Sequence, residues 1–232
     1  MKGEVTFNGF SRETVKFYRD LKKNNDKTWF AEHKELYREV VLDPAQAFVL
    51  EMAQRLRKVA PGVVGDPRLN GAGSIFRIHR DTRFGTDKSP FKTHLGILLW
   101  EGEGKKVERS GFYVHLEPPN LMLGVGVYMF TKENLERYRK AATSPRSGPL
   151  LAKAVKAIES RGYEVGGSHY KRVPRGFDPD HPNAALLKHN GLYAGFETKV
   201  PDEFYSGKFV DHCLRHFKKM LPLHEWLVAS VR

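Results

Sequence analysis

One cysteine, Cys213, is all that the 232 residues contain. No disulfide can therefore close within the chain, which excludes a disulfide-stapled secreted domain and favours a reducing compartment. Long apolar runs are missing too. The longest, GILLW at 96–100 and LMLGVGVYMF at 121–130, fall far short of the roughly 20 residues of a spanning helix. The opening MKGEVTFNGF holds no apolar stretch of signal-peptide length. The expected setting is the cytoplasm, with no membrane partner. Paired CxxC, GxxxxGKS/T, HExxH, GxGxxG and GxSxG are all absent, so Walker-type nucleotidases, zincins, dinucleotide folds and α/β-hydrolases lose their usual support. The chain has no internal repeat and no low-complexity segment.

Apolar material is present in quantity. Hydrophobic residues make up 40%, with 15 Phe, 9 Tyr and 3 Trp, enough for a core and too much for a disordered tail or a coiled coil. No linker-like stretch divides the sequence, so residues 1–232 are expected to form a single domain. Basic residues outnumber acidic ones 39 to 27, a net charge of +12. That surplus favours polyanionic or phosphorylated partners, although it speaks to association rather than to fold.

Periodicity divides the chain into helix, strand and helix again. Ser11 is placed to cap a helix bearing Val15, Phe17, Tyr18 and Leu21. Asn24 and Asn25 end it, and Asp26 caps a second helix. Asp43-Pro44 restarts a third, with proline suited to a first helical position. Residues 60–73 read as a loop. Four runs read as strands: 74–79, 91–100, 111–117 and 121–129. Short connections between them favour an antiparallel meander. Helices follow from Thr131 to about Ala142 and over 147–161, stopping at Gly162. Residues 163–181 read as irregular. A short helix near 182–189, a strand near 192–200, and helices over 203–220 and 223–231 that meet at Pro222 complete the chain. The fold class is α+β: a mainly antiparallel sheet of about four to six strands, flanked by N-terminal and C-terminal helices.

The chemistry-bearing stretch is RIHRDTRFGTDKSPFK at 77–92. Arg77, Arg80, Arg83, Lys88 and Lys92 lie close in sequence to Asp81 and Asp87. Guanidinium forks match carboxylate and phosphate oxygens two at a time, so the five cations are candidates to hold an anion. The rival reading is a self-satisfied salt-bridge network that stiffens a loop. Strand alternation adds a second feature. Phe112, Val114 and Leu116 share one face with Phe76, Ile78, Leu95, Ile97 and Leu99. The opposite face gathers Arg77, His79, Lys92, His94, Tyr113, His115, Glu117 and Tyr128, with Gly96, Gly124 and Gly126 between them. Glycine within a strand often marks close approach by a ligand or another backbone, so this face is expected to be a ligand floor. Asp81, Asp87, His94 and His115 are the candidate acid/base residues, and Tyr113 is a candidate ligand contact. Arg175 in KRVPRGFDPDHP, 171–182, is a further candidate anion contact on a stiff, proline-rich turn. Three histidines on one face raise a metal site beside Glu117 or Asp81. Their spacing matches no ligand motif, and no metal is assigned.

Taken in order, FNGFSRETVKFYRDLKKNNDKTWF, RIHRDTRFGTDKSPFKTHLGI, YVHLEP and KRVPRGFDPDHP resemble a mainly bacterial conserved-hypothetical family, domain of unknown function 2461. The resemblance runs from about Phe7 to about Leu227. Its most specific mark comprises Arg80, Asp81, Arg83, Phe84, Asp87, Lys88, Pro90 and Lys92. Family sequences commonly have tyrosine where this chain has His79, which weakens a three-histidine metal site. The resemblance implies a single α+β domain and brings no activity or cofactor with it. The residues themselves favour a cytoplasmic enzyme or binding protein for a phosphorylated or otherwise anionic small molecule. The alternatives are a nucleic-acid-binding module and a non-catalytic protein in which 77–92 is structural. Residues 74–117 carry eight basic and six acidic side chains, a net of only +2. A groove that tracks a long polyanion should be more one-sided.

Overall fold

The computed structural model describes residues 6–83 and 86–231. Phe84, part of the family mark, therefore lies outside the described residues. Helix α1 (Arg12–Lys23) starts at Ser11, whose hydroxyl accepts the Thr14 N–H while the Thr14 hydroxyl accepts the Ser11 N–H. This reciprocal capping satisfies two donors that a helix start leaves open. Helix α2 (Lys27–Glu32) is capped by Asp26 through the Trp29 N–H. After α3 (Lys34–Tyr37) comes a π-helical turn, Arg38–Leu42, that leads without interruption into α4 (Asp43–Leu56). The expected restart at Asp43-Pro44 is thus a continuation. Proline has no N–H to give to the Val40 carbonyl. The Thr14 hydroxyl supplies that hydrogen bond instead, at 2.6 Å, and the Asp43 N–H bonds back to Arg38. A widened turn with an outside donor removes the need for a break.

Among the described residues, six strands form one antiparallel sheet in the order β1-β2-β3-β4-β6-β5. They are β1 (Val63–Val64), β2 (Leu95–Glu101), β3 (Gly111–Glu117), β4 (Asn120–Val127), β5 (Glu164–Ser168) and β6 (His189–Lys199). The remaining helices are α5 (Lys132–Thr143), α6 (Gly148–Glu159), α7 (Ala184–Leu187) and α8 (Lys208–Ser230). The α+β class and the flanking helices expected from periodicity are both present. Strand β5 falls in the stretch read as irregular. It pairs antiparallel with β6, Val165 opposite Ala194, with a bulge between Gly166 and Ser168. Helix α8 runs through Pro222 instead of stopping there. Met220, Leu223, Trp226 and Leu227 are buried on both sides of the proline, and that packing outweighs one lost backbone hydrogen bond.

The chain clusters into two compact units. One comprises 1–99, 113–122 and 197–215; the other comprises 100–112, 123–196 and 216–232. In the first, Phe10 stacks on Phe204 at 4.7 Å and meets Phe7 edge-on at 5.3 Å. In the second, Phe130 stacks on Tyr138 at 4.8 Å and Phe112 meets Phe217 edge-on at 5.3 Å. Such offset and edge contacts are the favoured arrangements of aromatic rings.

Candidate functional site

The site belongs to the first unit and begins with an irregular pairing. Residues 74–79 are not a regular strand. Ile75 bridges Ile97, and His79 bridges Phe91. Positions 75 and 79 are four apart, but positions 91 and 97 are six apart. Backbone bonds Phe76 N–H to Gly96 O and Lys92 N–H to Ile78 O fix both ends. Residues 93–95 therefore lie opposite Arg77 alone, and Thr93 and His94 form a bulge. Bulges re-aim side chains and are common beside sites. The Asn25 side chain holds the far end, donating to the Phe91 carbonyl at 3.0 Å and accepting the Phe91 N–H at 3.1 Å. Asn25 thus acts as a one-residue strand partner, a role beyond ending α1.

The register shift changes which residues share a face. Phe76 does not lie with Ile78. Its ring meets Tyr113 edge-on at 6.1 Å, while Ile75 and Ile78 are buried. His79 packs against the stacked pair Phe30 and Phe91, apart from the histidines expected beside it. Strand β3 alternates as anticipated, with Phe112, Val114 and Leu116 buried and Tyr113, His115 and Glu117 half-buried.

These elements bring His94 and His115 together, with ring centroids 4.3 Å apart. The Tyr113 hydroxyl lies 3.0 Å from His115 Nδ1, and His115 Nε2 lies 3.7 Å from Glu117 Oε2. The other oxygen of Glu117 accepts from the Thr93 hydroxyl at 3.3 Å and faces Lys22 Nζ at 3.7 Å. One ligand atom from each of His94, His115 and Glu117 lies within 4.8 Å of the other two. Burial pushes His94 down to about 4, reinforced by His115, Lys92 and Arg80, while Glu117 pulls the other way. Burial also lowers His115, again against the pull of Glu117. Both rings are uncharged at neutral pH. A cleft of about 160 Å³ opens beside His115 and Glu117, walled by Lys22, Asn120, Met122 and Glu197 among others.

Two of the interstrand glycines serve the fold. A Cβ at Gly96 would sit 2.9 Å from the Tyr113 hydroxyl and 3.2 Å from Phe76, so Gly96 makes room for those rings. A Cβ at Gly126 would sit 2.3 Å from the Leu192 carbonyl, and φ there is +134°. At Gly126 the close neighbour is the backbone of β6.

The cations of 77–92 divide into two groups. Arg83 grips Asp81 through two side-chain bonds, 3.0 and 2.8 Å, and a backbone bond, which holds Asp81 down to about 2. Lys88 donates to the Thr82 carbonyl at 2.8 Å. Asp87 accepts from the Ser89 hydroxyl and N–H and pairs with Arg80 at 2.7 Å; these contacts lower its pKa, the Ser89 bonds most. Those groups are used within the turn. Arg80 and Lys92 lie close enough to His94 to lower its pKa, whereas the Arg77 side chain lies against Gly71. Lys92 Nζ donates to the Arg77 carbonyl at 3.0 Å and lies 5.8 Å from the Phe76 ring centroid. The buried Arg80 Nε has no hydrogen-bond partner among the described residues. Arg175 lies in the second unit, exposed on the 171–182 loop.

Sequence reading missed a buried relay in the second unit. His224 takes Ser110 Oγ at Nδ1, 2.9 Å, and Glu101 at Nε2, 2.7 Å. Ser110 and His224 are almost wholly enclosed, and no periodic signal links residues so far apart in sequence. The three tie the β2–β3 hairpin to α8.

Comparison with curated proteins finds no match. The profile of the conserved hypothetical proteins DUF2461 matches residues 13–226, a span holding nearly all of α1, the 77–92 turn, the bulge and β3, and the chain belongs to that family.

Proposed function

We propose that this protein binds an anionic small molecule, such as a phosphate ester, at the end of the sheet where Arg80 and Lys92 stand beside the His94–His115 pair. The observation that carries the reading is Arg80. Its Nη1 is fixed by Asp87 at 2.7 Å, while its buried Nε lacks a partner among the described residues. A guanidinium so anchored keeps a directed donor for an acceptor oxygen. Lys92, held to the Arg77 carbonyl, adds a positive point charge on the same segment. Arg83 and Lys88, engaged in the turn, shape this segment and do not contact the ligand. The near balance of charge in 74–117 favours a small ligand over a nucleic acid. The proposed setting is the cytoplasm, on the strength of a lone thiol, Cys213, that is fully buried.

Inorganic phosphate and a simple phosphate monoester, titrated into metal-free protein and followed by amide chemical shifts, test the proposal. Residues 77–94 should respond, and the response should weaken as salt rises. Lys92→Met and Arg80→Lys should each weaken binding roughly 10-fold to 100-fold, the range expected for one hydrogen bond to a charged group. Equal binding by wild type and both variants would reject the reading.

A further inference from the structure

We infer that the imidazoles of His94 and His115 and the carboxylate of Glu117 form a binding site for one divalent transition-metal ion, zinc or ferrous iron by the chemistry of the donors. Two nitrogens and one carboxylate oxygen are the donor set of many hydrolytic zinc sites and of the facial triad that holds non-haem iron. The inference needs no anion and stands on its own observations.

The first is a distance. His115 Nε2 and Glu117 Oε2 are 3.7 Å apart, too far for a hydrogen bond. Two ligands about 2.0–2.2 Å from one tetrahedral ion sit about 3.3–3.6 Å apart. The pair is therefore set close to the spacing an ion requires. His94 completes the set, with all three ligand atoms inside 4.8 Å, and rotation of its side chain on the 93–95 bulge would close the widest gap.

The second is the support behind each donor. The Tyr113 hydroxyl engages His115 Nδ1 at 3.0 Å, which directs Nε2 toward Glu117. Outer partners of this kind fix the tautomer and ring orientation of ligating histidines. Thr93 and Lys22 take the other oxygen of Glu117, so Oε2 is the one presented inward. Gly96 provides the space in which the Tyr113 hydroxyl sits.

The third is room. The cleft of about 160 Å³ is walled by His115 and Glu117 themselves. Two of the three protein ligands border that space, which leaves room for water or substrate at the remaining coordination positions, as in catalytic rather than structural sites.

The test uses the full chain without an affinity tag, stripped with a chelator and then titrated with Zn²⁺ by calorimetry and with Co²⁺ by visible absorption. The expected result is saturable uptake of one ion per chain, with cobalt bands typical of nitrogen and oxygen ligands. His94→Ala, His115→Ala and Glu117→Gln should each weaken uptake by at least about 100-fold, and Tyr113→Phe by roughly 10-fold to 100-fold. Glu117→Gln and Tyr113→Phe preserve shape, so they decide the matter if the alanine variants fail to fold. No saturable uptake by the wild type, or uptake unchanged in both shape-preserving variants, would overturn the inference. The phosphate titration is made without metal, so either proposal can fail while the other survives.

Discussion

Single side chains do much of the positioning around the candidate site, and Asn25 does so most directly. Its amide satisfies both backbone groups of Phe91, as a neighbouring strand would. Phe91 also stacks on Phe30 at 4.2 Å, so the start of the 91–94 segment is held by one polar and one apolar clamp. Asn25→Ala leaves the part-buried Phe91 N–H without its partner and its C=O with only a long contact from Arg80 Nη2, 3.5 Å, which costs about 1–3 kcal/mol. The urea midpoint should fall accordingly, and amide exchange over 91–94 should accelerate more than in α4. Uniform acceleration, or none, would show that Asn25 does not hold this segment. The sequence marks Asn25 as a helix stop, because asparagine favours such positions. Its second role depends on a partner 66 residues away, which local pattern does not encode.

At the level of elements, the continuous run from α3 through the π-helical turn into α4 rests on the hydroxyl of Thr14. Thr14→Val keeps the shape and removes the donor to the Val40 carbonyl. With Pro44 unable to replace it, that buried carbonyl is left unpaired, and about 1–3 kcal/mol should be lost. Chemical denaturation measures this, and a loss below about 0.5 kcal/mol would count against the account. Pairing the variant with Pro44→Ala restores a main-chain donor and should recover part of the loss.

The same scale shows why some elements are legible in sequence and others are not. Helix α1 declares itself through Ser11 and a clean apolar stripe, and β3 through strict alternation, because local rules and tertiary packing agree there. Strand β5 reads as a loop because EVGGS holds two glycines. They are required by packing: a Cβ at Gly166 would lie 2.4 Å from the Tyr193 ring, and one at Gly167 2.1 Å from the Gly191 carbonyl. The stretch 74–79 fails in the opposite direction. Its composition is that of a strand, but its pairing with 91–97 shifts register in the middle, and Ile75 and Ile78, three positions apart, are both buried, so the period of two is lost. That shift moves Phe76 onto the Tyr113 side and leaves His79 with Phe30, so a three-histidine cluster becomes two histidines and a glutamate. Alternation puts His94, His115 and Glu117 on one face, and the structure brings them together; the bulge that carries His94 there has no local signal.

Across the whole molecule, burial of histidine sets the response to acid. Away from the candidate metal ligands, His189, His212 and His224 all have lowered pKa values, with burial the leading cause in each. Glu203 and Glu101 oppose the shift at His212 and His224, whereas backbone bonds from Gly166 and Gly191 oppose it at His189. An unfolded histidine titrates near 6.5, so below that pH the unfolded chain binds more protons than the folded one. Stability is then fully present above about pH 6.5 and declines as pH falls through the lower folded values. Asp81, Asp87 and Glu203 also have lowered values, but carboxylates ordinarily titrate near 4, so their contribution is lost in a more acidic window. Between about pH 7 and pH 5 the slope belongs mainly to histidine. The urea midpoint should therefore drop steadily over this range, and His189→Asn should flatten the drop, since asparagine offers polar atoms without titrating. A midpoint that rises toward pH 5, or a slope untouched in His189→Asn, His212→Asn and His224→Asn alike, would show that these buried rings do not govern acid stability.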